Sequence, residues 1–149
     1  MTRIREATSD DLPALGKLFD EYRQFYKLPS DIEKASGYLR ARLAAGDSVA
    51  LVAADETGRL IGFTQLYPTW CSLLAGPVYV LYDLYVAPSA RQRGIGRALL
   101  EAAAERGRRD GKLRMTLSTA RTNLTAQSLY EALGWVRDDE FYVYNLGIA

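Results

Sequence analysis

Apolar positions along this chain recur at two spacings, and each change of spacing marks an element. Leu12, Leu15, Leu18 and Phe19 form a helical stripe behind Thr8–Asp11, which supplies a cap and early acids. A helix is therefore predicted to about Tyr26, where Leu28-Pro29 breaks it. Ser30-x-x-Glu33 has the form of a capping box for a second helix ending before Gly46. Ser48–Ala54 and Leu60–Tyr67 read as strands around an Asp-Glu-Thr-Gly turn, and Thr69–Pro77 as a loop. Val78–Val86 is an almost unbroken apolar run, the pattern of a central strand. Gly94–Arg109 is alanine- and leucine-rich and is stopped by Gly111. Thr2–Ala7 and Met115–Ser118 read as strands, Asn123 caps a short helix ending at Gly134, and two last strands fall near Trp135–Arg137 and Phe141–Leu146. The predicted order is β-α-α-β-β-β-α-β-α-β-β, a mixed α/β fold.

One carboxylate breaks the central run. Asp83 is the only charged residue between Leu60 and Ala87. A carboxylate in such surroundings is costly unless it is paired or hydrogen-bonded, and its pKa should be perturbed. Two readings stand side by side. Asp83 either draws in a cationic amine and takes its proton, or is a buried carboxylate accepting backbone or tyrosine hydrogen bonds.

The residues after that strand carry the strongest chemical signal. Arg91-Gln92-Arg93-Gly94-Ile95-Gly96-Arg97-Ala98 is a turn with two glycines that opens a helix. Successive N–H groups in such a turn converge on one spot, and the helix N-terminus adds positive potential there. The glycines let the backbone approach a bulky anion, and Arg91, Arg93 and Arg97 can add charge around it. Arg106, Arg108 and Arg109 lie too far along the helix to reach the turn. The spacing is neither that of a dinucleotide fingerprint nor that of a nucleoside-triphosphate loop.

Arg91-x-x-Gly94-x-Gly96 resembles the acyl-coenzyme A signature of the GNAT superfamily of N-acetyltransferases. Asn123-x-x-Ala126-x-x-x-Tyr130-x-x-x-Gly134-Trp135 resembles that family's later motif, in the right order. The resemblance runs over nearly the whole chain. It implies a single GNAT domain, residues 1–149, with a central, mostly antiparallel sheet splayed between strands 4 and 5 and flanked by four helices. It implies acetyl-coenzyme A as co-substrate, its pantetheine arm along the edge formed by Leu84, Tyr85 and Val86. Its pyrophosphate would lie on Arg91, Gln92, Arg93, Gly94, Ile95, Gly96, Arg97 and Ala98, with further contacts from Asn123 and Ala126. Tyr130 matches the motif tyrosine that lies near the coenzyme sulfur in relatives, and so becomes the candidate acid for the departing thiolate.

The stretch from Phe63 to Leu100 also resembles diamine acetyltransferases. Those enzymes carry a glutamate just before the aspartate, where Tyr82 stands here. Neighbours on a strand face opposite ways, so Asp83 replaces that glutamate only if a bulge re-aims the chain. Acceptor recognition falls to the first two helices and the Thr69–Gly76 loop, with Asp20, Tyr22, Tyr26, Trp70, Tyr82 and Tyr85 as wall residues beside Asp83. Aromatic and acidic groups together suit a cationic amine.

Composition narrows the field further. The chain has 149 residues, no histidine and a net charge of +1, which disfavours a zinc site and a nucleic-acid partner. The lone Cys71 forms no internal disulfide, fitting a reducing cytoplasm, and no 18-residue apolar run indicates a membrane span. The expected activity is acetyl transfer to a small primary amine by direct attack in a ternary complex. A protein lysine or N-terminal acceptor is the alternative within the enzyme class, and a coenzyme A-binding sensor without turnover is the alternative outside it. A homodimer would accord with the family.

Overall fold

The structure, a computed structural model, describes residues 1–149. It divides into two compact units, Met1–Ser118 and Thr119–Ala149. The first unit contains β1 (Arg3–Glu6), α1 (Leu12–Phe25), α2 (Ile32–Ala45), β2 (Val49–Ala54), β3 (Leu60–Cys71), β4 (Gly76–Val86), α3 (Ile95–Arg109) and β5 (Met115–Thr116). The strands lie in sequence order, β1-β2-β3-β4-β5, antiparallel except for the β4–β5 pair. The second unit contains α4 (Leu124–Ala132). No helix is long and apolar enough to cross a membrane.

Alternation along the strands sends apolar side chains to both faces of the sheet. Leu15, Leu18 and Phe19 of α1 and Ala35 and Leu39 of α2 pack with Val52, Phe63 and Tyr85 on one face. Ile95 and Leu99 of α3 pack with Ala53 and Ile61 on the other, with Leu84 and Val86 against them. β4 is thus covered on both faces, which explains its near-continuous apolar sequence.

Several boundaries differ from the expected ones. The second helix is capped one residue later, by Asp31, whose carboxylate accepts from the Lys34 N–H at 3.1 Å. Ser30 donates instead to Asp20 at 2.7 Å. The expected Thr69–Pro77 loop is mostly ladder. Trp70 pairs with Pro77 and Cys71 with Gly76, leaving only Ser72–Ala75 as the turn. The two expected last strands are absent, and α4 is the final element. The alternation at Phe141–Leu146 is a strand pattern, but a strand also needs a ladder partner, and this segment has none.

Candidate active site

β4 is shaped by two irregularities, and each creates half of the candidate site. The first is where β5 stops. The β4–β5 ladder comprises only Tyr79 with Met115 and Val80 with Thr116. From Leu81 onward β4 has no ladder partner on that side, so the edge at Leu84 and Tyr85 is unpaired where the splay between strands 4 and 5 is expected, while the Val86 carbonyl accepts from Arg91.

The second irregularity is a bulge. Gln65 pairs with Asp83 and the next residue, Leu66, pairs with Leu81, so Tyr82 is an extra residue in β4. A bulge of this kind resets which residues face which way. Before it, the Tyr79 ring faces α3 beside Gly107 and its hydroxyl donates to Asp110. After it, Tyr85, six positions on, faces α1 instead, with its ring 6.1 Å from Tyr22 and 6.4 Å from Phe63. The condition under which Asp83 could share the face of Tyr82 is therefore met. Tyr82 stands 5.7 Å from the Tyr67 ring, and Asp83 hydrogen-bonds Gln65 of the same β3 face.

Asp83 is 4% exposed. Its Oδ2 accepts from the Gln65 amide at 3.0 Å, and the Tyr22 hydroxyl lies beside it, donating to the Tyr82 carbonyl at 3.4 Å. Burial pushes the Asp83 carboxyl above its ordinary range, opposed by hydrogen bonds from Gln65 and Tyr22. The phenols respond in turn. Burial and the nearby Asp83 charge raise Tyr22, while burial, the Tyr38 hydrogen bond and Asp83 raise Tyr67. These phenols stay neutral donors throughout the range in which Asp83 titrates.

The turn after β4 is built from backbone. Gln92 and Gly94 both adopt left-handed conformations, with φ of 65° and 75°. A Cβ added at Gly94 would meet nothing within 4 Å, so glycine is required there by its φ and not by crowding. The N–H groups of Gln92 to Arg97 donate to no protein acceptor, and the first closed helical bond is Ala98 N–H to the Gly94 carbonyl at 3.0 Å. An open turn with consecutive free donors at the start of a 15-residue helix fits a pyrophosphate.

The three turn arginines do not behave alike. Arg91 is engaged within the protein: its Nε donates to the Val86 carbonyl at 3.0 Å, and its guanidinium lies over the rings of Tyr85 at 5.5 Å and Phe25 at 5.8 Å. Arg97 is paired with Glu101 one helical turn on, at 3.1 Å. Arg93 is exposed and forms no ion pair. Arg106 ties α3 to β1 through Glu6 and also pairs with Asp110, while Arg108 and Arg109 pair with Glu105 and Asp110.

Asp20 is not a wall residue: it is 3% exposed and its carboxylate accepts from Ser30, the Asp31 N–H and Gln24, tying α1 to the start of α2. Tyr26 is exposed, with its ring 5.1 Å from Tyr22. Trp70 is 76% exposed near the hairpin tip. In the second unit Asn123 caps α4, accepting from the Ala126 N–H at 3.2 Å. Tyr130 is half-buried near the end of that helix, with its ring 6.2 Å from Trp135. Sequence reading missed Gln65, Tyr38 and Tyr67. The available signal was Gln65, an uncharged polar residue inside the apolar Leu60–Leu66 run.

The sequence profile of the acetyltransferase (GNAT) family matches residues 12–135. The chain belongs to the GNAT family. It is 43% identical over 145 residues, 97% of each chain, to the uncharacterized N-acetyltransferase YhfO of Bacillus subtilis strain 168. An aminoglycoside N(6')-acetyltransferase type 1 of Salmonella typhimurium is 29% identical over 78% of this chain and 80% of its own. Among solved structures, that of a probable acetyltransferase superposes with a TM-score of 0.92 at 40% identity, covering 99% of this chain and 98% of that one. AAC(6')-Iy in complex with a bisubstrate analogue, CoA-S-monomethyl-acetylneamine, has a TM-score of 0.83 over 99% of each chain. At 22% identity, that likeness bears on the fold alone. The chain is thus an acetyltransferase of the GNAT family, whose members use acetyl-coenzyme A. None of these similarities singles out the diamine acetyltransferases.

Proposed function

We propose that the protein transfers the acetyl group of acetyl-coenzyme A to a primary amine of a small molecule, by direct attack in a ternary complex. The observation that carries this reading is the Tyr82 bulge. It aims one buried carboxylate, Asp83, to the α1/α2 face of the strand whose other features suit the coenzyme.

In this reading the unpaired edge at Leu84 and Tyr85, running towards Val86, pairs with the pantetheine arm, and the N–H groups of Gln92–Arg97 receive the pyrophosphate. Asp83 attracts the acceptor ammonium and takes its proton, directly or through water. The neutral amine then attacks the thioester carbonyl carbon. A C–N bond forms, the C–S bond breaks, and a backbone N–H near Tyr85 stabilises the carbonyl oxygen as charge develops. Tyr130 donates its hydroxyl proton to the departing thiolate, an assignment resting on its place in the Asn123–Trp135 motif. A thiolate whose acid has a pKa of about 8.5 needs only modest help.

A single carboxylate among Tyr22, Tyr67 and Tyr82 suits one ammonium carried on a compact body, better than it suits a polycation. The test is release of free thiol from acetyl-coenzyme A against a panel of monoamines, polyamines, amino acids, aminoglycosides and lysine peptides. Turnover with small monoamines, yielding N-acetyl product, is expected. Turnover restricted to lysine peptides would overturn the small-molecule reading.

A further inference from the structure

Gln65 makes contacts that packing alone does not require. It is 1% exposed, in β3, directly opposite Asp83 in the ladder. Its amide is held at both ends. Ser48, just before β2, donates its hydroxyl to Gln65 Oε1 at 3.0 Å. Gln65 Nε2 donates to Asp83 Oδ2 at 3.0 Å. A free amide can turn over and present its oxygen in place of its nitrogen. The Ser48 hydroxyl can also accept, so it does not forbid the turned state on its own. With Asp83 ionised, however, only one orientation satisfies both neighbours without opposing two acceptors.

We infer that Gln65 is a positioning residue for Asp83, fixed by Ser48 so that its N–H keeps the carboxylate oriented and available as the base. The inference rests on the reading of Asp83 given under Proposed function.

The other polar groups around this carboxylate are Tyr22 of α1, Tyr67 of β3 and Tyr82 of β4, with Tyr26 beyond Tyr22 and with Tyr38 and Arg42 of α2 beyond Tyr67. Tyr22 and Tyr67, both raised by burial and the Asp83 charge, remain protonated where a carboxyl titrates, and Arg42 is tied to Asp47 at 2.7 Å. Asp83 therefore supplies the acidic limb. A hydrogen bond to the charged form favours that form, so removing the Gln65 donor raises the pH at which Asp83 ionises. The shift expected for one such bond is about one pH unit, or roughly a tenfold lower rate at a fixed pH below the limb.

The experiment is the pH dependence of kcat/KM for the acceptor in the full-length protein, for wild type, Gln65→Met, Ser48→Ala and Asp83→Asn. Gln65→Met keeps size and removes the donor, and the acidic limb should move upward with KM for acetyl-coenzyme A unchanged. Half-buried Ser48 tolerates truncation, so Ser48→Ala should move the limb the same way by less, and it keeps the question answerable if Gln65→Met fails to fold. Unmoved limbs in the variants that fold, alongside loss of the limb in Asp83→Asn, would overturn the role of Gln65 alone. An unchanged profile in Asp83→Asn would overturn the reading of Asp83 itself.

Discussion

The two sides of the β4 C-terminal half are built on different principles. The turn that follows the strand offers backbone: consecutive N–H groups, two left-handed residues, and arginines of which Arg91 folds back onto Val86, Phe25 and Tyr85. The α1/α2 face offers side chains: Asp83 held by Gln65, with Tyr22, Tyr67 and Tyr82 around it. A backbone site is fixed by where glycines and helix starts fall. A side-chain site is fixed by strand register, and one inserted residue changes its membership. The comparison implies that coenzyme binding and acceptor chemistry should separate under mutation.

Asp83→Asn should produce the largest effect. Losing a general base of this type costs about a thousandfold in kcat/KM for the acceptor, while calorimetry should find acetyl-coenzyme A binding as in the wild type. A parallel loss of coenzyme affinity would show that the two sides are coupled.

Tyr130→Phe comes next, with an expected fall in kcat of about a hundredfold and no change in coenzyme affinity. Equal rates for the variant and the wild type would remove Tyr130 from the acid role.

On the coenzyme side, Gly94→Val forces a β-branched residue to a φ of 75°. The strain is about 1–3 kcal/mol. KM for acetyl-coenzyme A should rise roughly ten- to a hundredfold through distortion of the turn. The pH profile of the acceptor step should keep its acidic limb, and a shifted limb would contradict the separation.

The smallest effects sharpen the contrast between two arginines. Arg93→Ala should weaken acetyl-coenzyme A binding a few-fold, and less so in added salt, as for any exposed charge. Arg91→Ala should leave that binding almost unchanged and lower stability by about 1 kcal/mol, through loss of the Val86 hydrogen bond and the ring contacts. Thermal melts paired with coenzyme titrations distinguish the two, and the reverse pattern would restore Arg91 to the anion.

The same contrast explains what could be read from sequence. The turn was legible because Gly94, Gly96 and the start of α3 are local features. The element order from β1 to α4 was legible because period 3.6, apolar runs and caps are local as well. The α1/α2 face was only half legible. Asp83 stood out as a charge in an apolar run, but its side depended on the Tyr82 bulge, a relation between two strands distant in sequence. Gln65 stayed hidden for the same reason, since its meaning comes from its ladder partner. Asp20 misled because an acidic residue on an amphipathic helix looks alike whether it faces a substrate or ties down the next helix. The turn arginines were placed by charge and by the Arg91-x-x-Gly94-x-Gly96 spacing, neither of which reveals that aromatic faces and a carbonyl also engage the Arg91 guanidinium. The alternation at Phe141–Leu146 suggested a strand that the chain does not form, because alternation specifies a strand's faces and not its partner.

The most direct test of the central claim is steady-state thiol release by Asp83→Asn at saturating acetyl-coenzyme A, across the pH range and against the best monoamine acceptor. The account predicts a rate about a thousandfold below wild type, an absent acidic limb and undiminished coenzyme binding. A variant that keeps the wild-type rate and limb would show that the carboxylate behind the bulge is structural and that the base lies elsewhere.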